Sequence, residues 1–398
     1  MSAAEIGYFG AQALANAVSL GVLLHGSWWT ALSVVALRRP ATLPRRDLSG
    51  IRMAVLIPAH NEEASISRCV SSVRRSAAAR GGETRIVVVA DNCTDATARL
   101  AQAEGAIVIE RVDQRLTGKP HALEAGLAWF ARNEPPEVVV FVDGDCEVEE
   151  NFLPAIASRF SGEAQAVQAH YATLDGGTSL QRLRTLALML VHWSRPLGGE
   201  RLGIGTTIKG SGMALRWPLV EHGFGAHGIA EDAELTLSLC ERGVRVDFEP
   251  SAVVRGPMAA TYAAARTQDR RWEAGRFALA PRAIPTAWKS LVRGRPGRAL
   301  TALDVAALPL TPLVIMSGAA LALSLAGVGS GLLATLAATS LGTYLVVGLA
   351  AARPSLRDLS GLLAAPRFIV HKSVVMLEVA RGRGPTTWER SDRTQPPR

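Results

Sequence analysis

The 398-residue sequence has only four cysteines, Cys69, Cys93, Cys146 and Cys240, far apart and without a CxxC pair. Neither a disulfide framework nor a zinc site is indicated; small apolar filler in a reducing compartment is the expectation. No G-x-G-x-x-G follows the first strand-like run, where PAHNEE stands instead. That stretch offers no backbone cradle for a pyrophosphate, which argues against a dinucleotide-dependent dehydrogenase. No lysine or arginine precedes the first apolar run, so the N-terminal segment reads as a retained anchor rather than a cleaved signal peptide. Lysine is scarce throughout, and arginine supplies nearly all of the positive charge.

What is present is apolar and basic. Hydrophobic residues make up 48% and the formal net charge is +8, a balance that suits contact with nucleic acid, phospholipid headgroups or phosphorylated metabolites without choosing among them. Three stretches carry the apolar excess: residues 11–37, 305–326 and 332–352, all free of Asp, Glu, Lys and Arg. Each is about long enough to cross a hydrocarbon core. The last two are joined only by GVGSG and form a hairpin. Arg38-Arg39 and Arg45-Arg46 follow the first stretch, Arg293, Arg295 and Arg298 precede the second, and Arg353 and Arg357 follow the third. By the positive-inside rule the segment between the first and second stretches and the C-terminal tail face the cytoplasm.

Between these stretches strand and helix patterns alternate. MAVLIPA (53–59), RIVVVAD (85–91), AIVIER (106–111) and VVVFVDGD (138–145) read as strands, with helical periodicity between them. Such repeats argue for an α/β domain with a mostly parallel sheet and helices on both faces, whose ligands sit at the C-terminal strand ends. Polar groups gather there: Pro58 to Glu62, Asp91-Asn92, and Asp143-Gly144-Asp145. Two carboxylates one glycine apart suit a hard divalent cation, Mg²⁺ or Mn²⁺, completed by substrate phosphates. Helix N-cap chemistry accounts for the same spacing equally well.

Taken together, the motifs resemble those of the membrane-bound family 2 glycosyltransferases, the group that includes cellulose, chitin and hyaluronan synthases and several lipid glycosyltransferases. The likeness spans residues 53–272 and follows the family's order: PAHNEE (58–63), Asp91, GKPHAL (118–123), the DxD (143–145), GSG (210–212), AED (230–232) and QDRRW (268–272), which fits QxxRW. The resemblance implies a GT-A (Rossmann-like) fold and inverting sugar transfer from a nucleotide-diphosphate sugar, most often a UDP-sugar. It implies that Pro58, Asn61, Glu62 and Asp91 hold the nucleoside side of the donor, that Lys119 lies near the nucleotide and Asp143 contacts the donor, and that Asp145 binds the metal. Asp232 is implied as general base beside Glu231, and burial or that neighbour should raise its pKa. Gln268 and Arg271, with Arg270 beside them, lie where the family contacts the diphosphate. Trp272 and the Gly210-Ser211-Gly212 turn are implied on the acceptor side.

One departure stands out: Ala230 occupies the place where the family often has threonine. Two further segments stay open. Residues 179–199 read as a membrane-surface helix guiding the acceptor or as core packing, and residues 359–384 as an interfacial helix or one packed on the domain. His60, His121, His170, His222 and His227 show no metal-ligand spacing, and PTTWERSDR (385–393) resembles a C-terminal pattern of some relatives. The expected organisation is an anchor (1–40), a cytoplasmic catalytic domain (50–280), an amphipathic interfacial linker (281–304), a transmembrane hairpin (305–352) and an interfacial helix with tail (353–398). Expected partners are a nucleotide-sugar donor, a polysaccharide or lipid acceptor and membrane phospholipids, with no nucleic acid; export subunits are compatible with the layout. A membrane binding protein that kept the fold without turnover is the competing class.

Overall fold

The computed structural model describes residues 2–40, 50–174, 176–226 and 228–385; Arg45-Arg46, His227 and the C-terminal Trp-Arg motif beyond residue 385 lie outside the described residues. Helix α1 (Ala3–Ala36) leads into β1 (Met53–Ala59), α2 (Ile66–Arg80), β2 (Thr84–Asp91), α3 (Thr97–Ala103), β3 (Ile107–Arg111), α4 (Lys119–Arg132) and β4 (Val138–Phe141). Then come β5 (Glu147–Val148), α5 (Phe152–Phe160), β6 (Ala166–Thr173), α6 (Ser179–Met189), a π-helical turn (Leu190–Ser194) and α7 (Arg195–Arg201). β7 (Met213–Arg216), α8 (Glu231–Glu241) and β8 (Val246–Gly256) complete the sheet. The remainder is helical: α9 (Tyr262–Val292), α10 (Pro296–Ala306), α11 (Leu310–Leu325), α12 (Gly331–Ala352), α13 (Leu356–Leu359) and α14 (Ala365–Glu378).

The strands form one sheet in the order β3-β2-β1-β4-β7-β6-β8-β5. Only the first half is the parallel sheet expected from the sequence: β1 runs parallel to β2 and β4, and β2 to β3. The second half is mixed, because β7 enters antiparallel to both β4 and β6, and β5 antiparallel to β8. Both faces are covered, which is why β1, β2 and β4 read as continuous apolar runs. Val55, Ile57, Val88 and Val140 pack on α2 and α5. Leu56, Val89, Val139 and Phe141 face Leu123, Leu127 and Phe130 of α4 and Leu235 of α8. Gly126 is what lets α4 sit this close, since a Cβ there would come within 2.2 Å of Leu56.

Among the described residues, two helices are long and apolar enough to cross a membrane, α1 and α12. They lie against each other, with no room for a Cβ at Gly26, which would meet Ser340 Oγ at 2.4 Å. The expected middle span differs from its reading. Residues 305–326 are broken: α10 and α11 meet at 77°, because Pro309 has no N–H to continue the helix and holds the residue before it out of the helical region. Helix α11 alone has 16 residues, about 24 Å at the usual rise.

The linker expected at 281–304 falls within two helices, α9 and α10, that pack on the domain by one side. Ala283 and Ala287 of α9 join Leu237, Cys240, Ala299 and Ala302 in one buried cluster. The opposite face of α9 remains apolar and exposed at Ile284, Trp288, Leu291 and Val292, a helical stripe. Residues 179–199 take the packing alternative, with Leu183, Leu186 and Leu190 buried. Helix α14 has both characters, with Lys372 and Val375 buried against the rest of the molecule and Val370, Val374 and Leu377 exposed. All four cysteines are free, and Cys69, Cys146 and Cys240 are buried.

Candidate active site

The site begins where parallel strands end side by side. The β1 register sets Pro58 opposite Val89 and Leu56 opposite Phe141, so the turns after β1, β2 and β4 open at one level. Asn61 and Asn92 take left-handed backbone conformations, φ +53° and +51°, which asparagine tolerates better than most residues. Their side chains lace the loops together: Asn61 Oδ1 accepts from Thr94 N at 2.8 Å, and Asn92 Oδ1 from Asp113 N at 2.8 Å. His60 binds the Asp91 carbonyl through Nδ1 at 2.7 Å, a structural contact. The backbone N–H of Glu62 donates to Thr97 Oγ1 at 2.7 Å. Asp91 is buried, and Arg111 Nη1 donates to its Oδ1 at 2.6 Å. Arg111 is a residue the sequence reading missed; it is Asp91's partner in the β2–β3 register.

The Asp143-Gly144-Asp145 turn lies against β1, where a Cβ on Gly144 would come within 3.3 Å of the Pro58 carbonyl oxygen. Asp143 N donates to Ser211 Oγ at 3.1 Å. The question of what compensates two adjacent acids has a local answer in part: Lys119 Nζ stands 2.6 Å from Asp143 Oδ1 and 3.6 Å from Glu231 Oε1. Burial pulls the Lys119 pKa down, but the charges of Asp143 and Glu231 outweigh it and hold the ammonium above its ordinary value. Burial pushes the Glu231 carboxyl up, with Lys119 opposing and Asp232 adding to the rise.

Asp143, Asp145 and Cys146 each offer a ligand atom, all within 4.8 Å of one another. Burial pushes the Cys146 thiol far up. The two carboxylates supply hard oxygen donors, the kind that fits Mg²⁺ or Mn²⁺.

The far wall comes from α8 and α9. Glu231 and Asp232 occupy the first turn of α8, and Asp232 Oδ1 accepts from Ala233 N at 2.8 Å. Ala230 is the N-cap and makes no side-chain cap bond. Helix α9 crosses directly behind it at Gly275, where a Cβ would come within 2.3 Å of Ala230 Cβ. One turn earlier stand Gln268, Arg271 and Trp272. Gln268 Oε1 accepts from Arg184 Nη2 at 2.7 Å, and the Arg184 guanidinium lies 5.5 Å over the Trp272 ring. Arg270 turns outward instead, to Glu378 and the Arg383 carbonyl.

These parts enclose a single cavity of about 810 Å³. Pro58, Asn61, Glu62, Asp91, Lys119, Asp143, Asp145, Gly210, Glu231, Asp232, Gln268, Arg271 and Trp272 all line it. Ser211 and Gly212 do not: Ser211 is buried behind the wall, holding Asp143, and Gly212 bonds Phe141 and Ala169 in the sheet. The resemblance implied these two on the acceptor side; here Ser211 supports the DxD turn from behind the cavity wall.

The cavity also reaches further than the motifs suggested, to Lys209, Arg195, Arg276 and the apolar Trp29, Leu308 and Tyr344. The π-helical turn places Val191 and His192 on this wall; Pro196, which has no N–H to donate into an α-helical ladder, lies just after it. No sequence motif marks this extension. A basic residue inside an apolar run, as in VHWSRPL, is the one available signal.

Residues 51–275, more than half of the chain, match a family model described as "Glycosyltransferase like family 2". The chain is 25% identical over 234 residues to "Probable glycosyltransferase YdaM" of Bacillus subtilis (strain 168), a match covering 56% of this chain and 55% of that protein. It is 32% identical over 96 residues to "4,4'-diaponeurosporenoate glycosyltransferase" of Staphylococcus aureus (strain USA300), covering 23% of this chain and 24% of that one. The chain thus matches about half the length of the first relative and a quarter of the second. Among solved structures, a mannosyltransferase from Pyrobaculum calidifontis in complex with GDP-Man and Mn²⁺ superposes with a TM-score of 0.54 at 17% identity. That match covers 94% of this chain and 98% of the other, and at this identity it speaks for a shared fold.

Proposed function

The chain belongs to glycosyltransferase-like family 2, and from that premise we propose that it moves a sugar from a nucleotide-diphosphate sugar to an acceptor held at the cytoplasmic face of a membrane. The observation that carries the reading is the convergence of Asp91, Asp143, Asp145, Asp232, Arg271 and Trp272, drawn from across the chain, on one cavity. Asp91, Asn61 and Glu62 bind the nucleoside. Asp143 and Asp145 hold Mg²⁺ or Mn²⁺, which when bound supplies positive charge beside the diphosphate. Arg271 adds a second cation to the same leaving group. Asp232 accepts the proton of the attacking hydroxyl as the bond from that oxygen to the sugar C1 forms and the bond to the diphosphate breaks, with inversion. Lys119 stands between Asp143 and Glu231 at the floor and balances part of their charge.

Helices α1 and α12 and the exposed apolar stripe of α9 support membrane attachment. QxxRW favours polymer extension, the first reading of the sequence. The cavity's apolar end among Trp29, Leu308 and Tyr344 favours a single transfer to a lipid. The test is to incubate the purified full chain with labelled UDP- and GDP-sugars, Mn²⁺ and membrane lipids, and to size the product. A ladder means polymer and a single lipid-soluble product means one transfer. Absence of both donor turnover and Mn²⁺-dependent nucleotide binding would sink the proposal in favour of a protein without turnover.

A further inference from the structure

Beyond the catalytic acids the cavity is ordered by chemistry. Asp232 is within electrostatic reach of Lys209, and Lys209 of Arg195 and Arg276. The Arg195 guanidinium lies 4.6 Å over the Trp29 ring, and Trp29 in turn packs at 5.1 Å against Tyr344. Along this path the surroundings change from proton acceptor to cations to aromatic and aliphatic surface.

The cations are incompletely compensated. Lys209 Nζ donates to Thr207 Oγ1 at 2.5 Å and forms no ion pair among the described residues. Arg195 Nη1 is 3.4 Å from Asp304 Oδ1, and Arg276 Nη1 donates to the Ala307 carbonyl at 2.8 Å. The Nε of each arginine is buried without a hydrogen-bond acceptor, that of Arg276 lying 4.0 Å from Glu273 Oε2. The facing acids are Asp232, Asp304 and Glu273, and Glu273 is already held by Lys372 at 2.9 Å. Burial pulls the Lys209 pKa down to about 8. Buried donors of this kind are costly unless an anion meets them.

We propose that this inner end is an acceptor subsite for a phospholipid whose headgroup carries a free hydroxyl: the hydroxyl at Asp232, the phosphodiester on Lys209, Arg195 and Arg276, and the hydrocarbon against Trp29 and Tyr344. The proposal rests on the glycosyltransferase reading and narrows its acceptor to one class. The α10–α11 bend supports it, since Leu308, Pro309 and Leu310 at the break line the cavity and open it toward the apolar helices. The order hydroxyl, phosphate, hydrocarbon is that of a polyol phospholipid entering headgroup first. The phosphate stays intact; only the hydroxyl proton is exchanged for the sugar.

The test measures binding to the full chain in neutral detergent with EDTA present, so that the carboxylate site holds no metal. The probes are phosphatidylglycerol, diacylglycerol with the same tails, and glycerol phosphate, followed by tryptophan fluorescence. Phosphatidylglycerol is expected to bind at least tenfold more tightly than either of the others. Lys209→Met is expected to remove that preference and Lys209→Arg to keep it. Equal binding of phosphatidylglycerol and diacylglycerol would overturn the proposal, as would full competition by glycerol phosphate. The comparison on the parent protein stands even if Lys209→Met fails to fold. A parallel titration of the parent with UDP and GDP in Mn²⁺ separates the two readings. Nucleotide binding without lipid preference removes only the acceptor assignment, whereas no nucleotide binding removes the enzyme reading itself.

Discussion

Arg184 and Asp269 form a buried, forked ion pair, with Arg184 Nη1 donating to both carboxylate oxygens at 3.0 and 3.1 Å. Around it gather His371 at 3.2 Å and Lys372 at 3.3 Å from the same carboxylate, so α6, α9 and α14 are joined at one point beneath Gln268 and Trp272. Burial pushes the Asp269 carboxyl up, but the His371 bond and the charges of Arg184 and Lys372 outweigh it and hold it well below the usual range. A depressed carboxylate contributes stability that is present above its unfolded pKa, about 4, and lost as pH falls toward the folded value. Asp269→Asn strands the Arg184 and Lys372 charges, and is expected to cost about 3 kcal/mol at neutral pH. Thermal unfolding between pH 7 and pH 3 checks it: the gap between parent and variant should narrow toward the acid end.

Lys119 sits where a metal ion would otherwise meet only negative charge. Replacing it by methionine leaves Asp143 and Glu231 without their shared cation. Removal of one nearby positive charge favours a divalent ion by about 1 kcal/mol even at water-like screening, about fivefold in affinity. Lys119→Met is therefore expected to bind Mn²⁺ more tightly while transferring sugar at least tenfold more slowly. Calorimetry and initial rates on one preparation report both; weaker Mn²⁺ binding would mean that Lys119 organises the carboxylates rather than competing for them.

Asp145 and Asp232 are expected to fail in different ways. Asp145→Asn removes a hard oxygen ligand and should abolish Mn²⁺-dependent binding of the nucleotide. Asp232→Asn leaves the DxD turn untouched, so nucleotide affinity should stay within about twofold while transfer falls by about 10² to 10⁴, the range for loss of a general base. If both variants lose nucleotide binding alike, Asp232 belongs to the donor site and the base must be sought elsewhere.

The parallel half of the sheet was legible because burial on both faces forces β-branched runs such as VVVF and IVVV, and its acids stood out where those runs stop. The ordered motifs then named the polar residues at one end of the cavity, and nothing of its extension toward Lys209, Arg195 and Trp29. The mixed half was not legible: β5 has two residues and β7 four, too short for a period to register. Arg111 could be found only from strand register, and the Arg184–Asp269–Lys372 cluster joins residues 85 or more apart, where no local pattern reaches. Pro309 was visible, yet average hydropathy reads through a single proline, so the 77° break between α10 and α11 was not foreseen. Over 281–304 the amphipathic pattern was legible, but not that one face of α9 is buried by the protein's own α8 and α10 while Ile284 and Trp288 stay exposed on the other.

Gly275 fixes the distance between the Glu231-Asp232 turn and the QxxRW helix. An added Cβ would stand 2.3 Å from Ala230 Cβ, inside any tolerable contact, and Gly275 itself is buried. Gly275→Ala must therefore push α9 away from the α8 N-terminus, carrying Arg271 and Trp272 with it. Overpacking of this size costs about 1–3 kcal/mol, and the displacement should raise the donor KM several-fold. The paired change Ala230→Gly removes the opposing methyl, and glycine serves as N-cap at least as well as alanine. The double variant is expected to regain most of the lost stability and donor affinity, although Ala230→Gly alone should do little. A double-mutant cycle on melting temperature and KM checks this; simple additivity of the two changes would show that the helices do not meet at these residues.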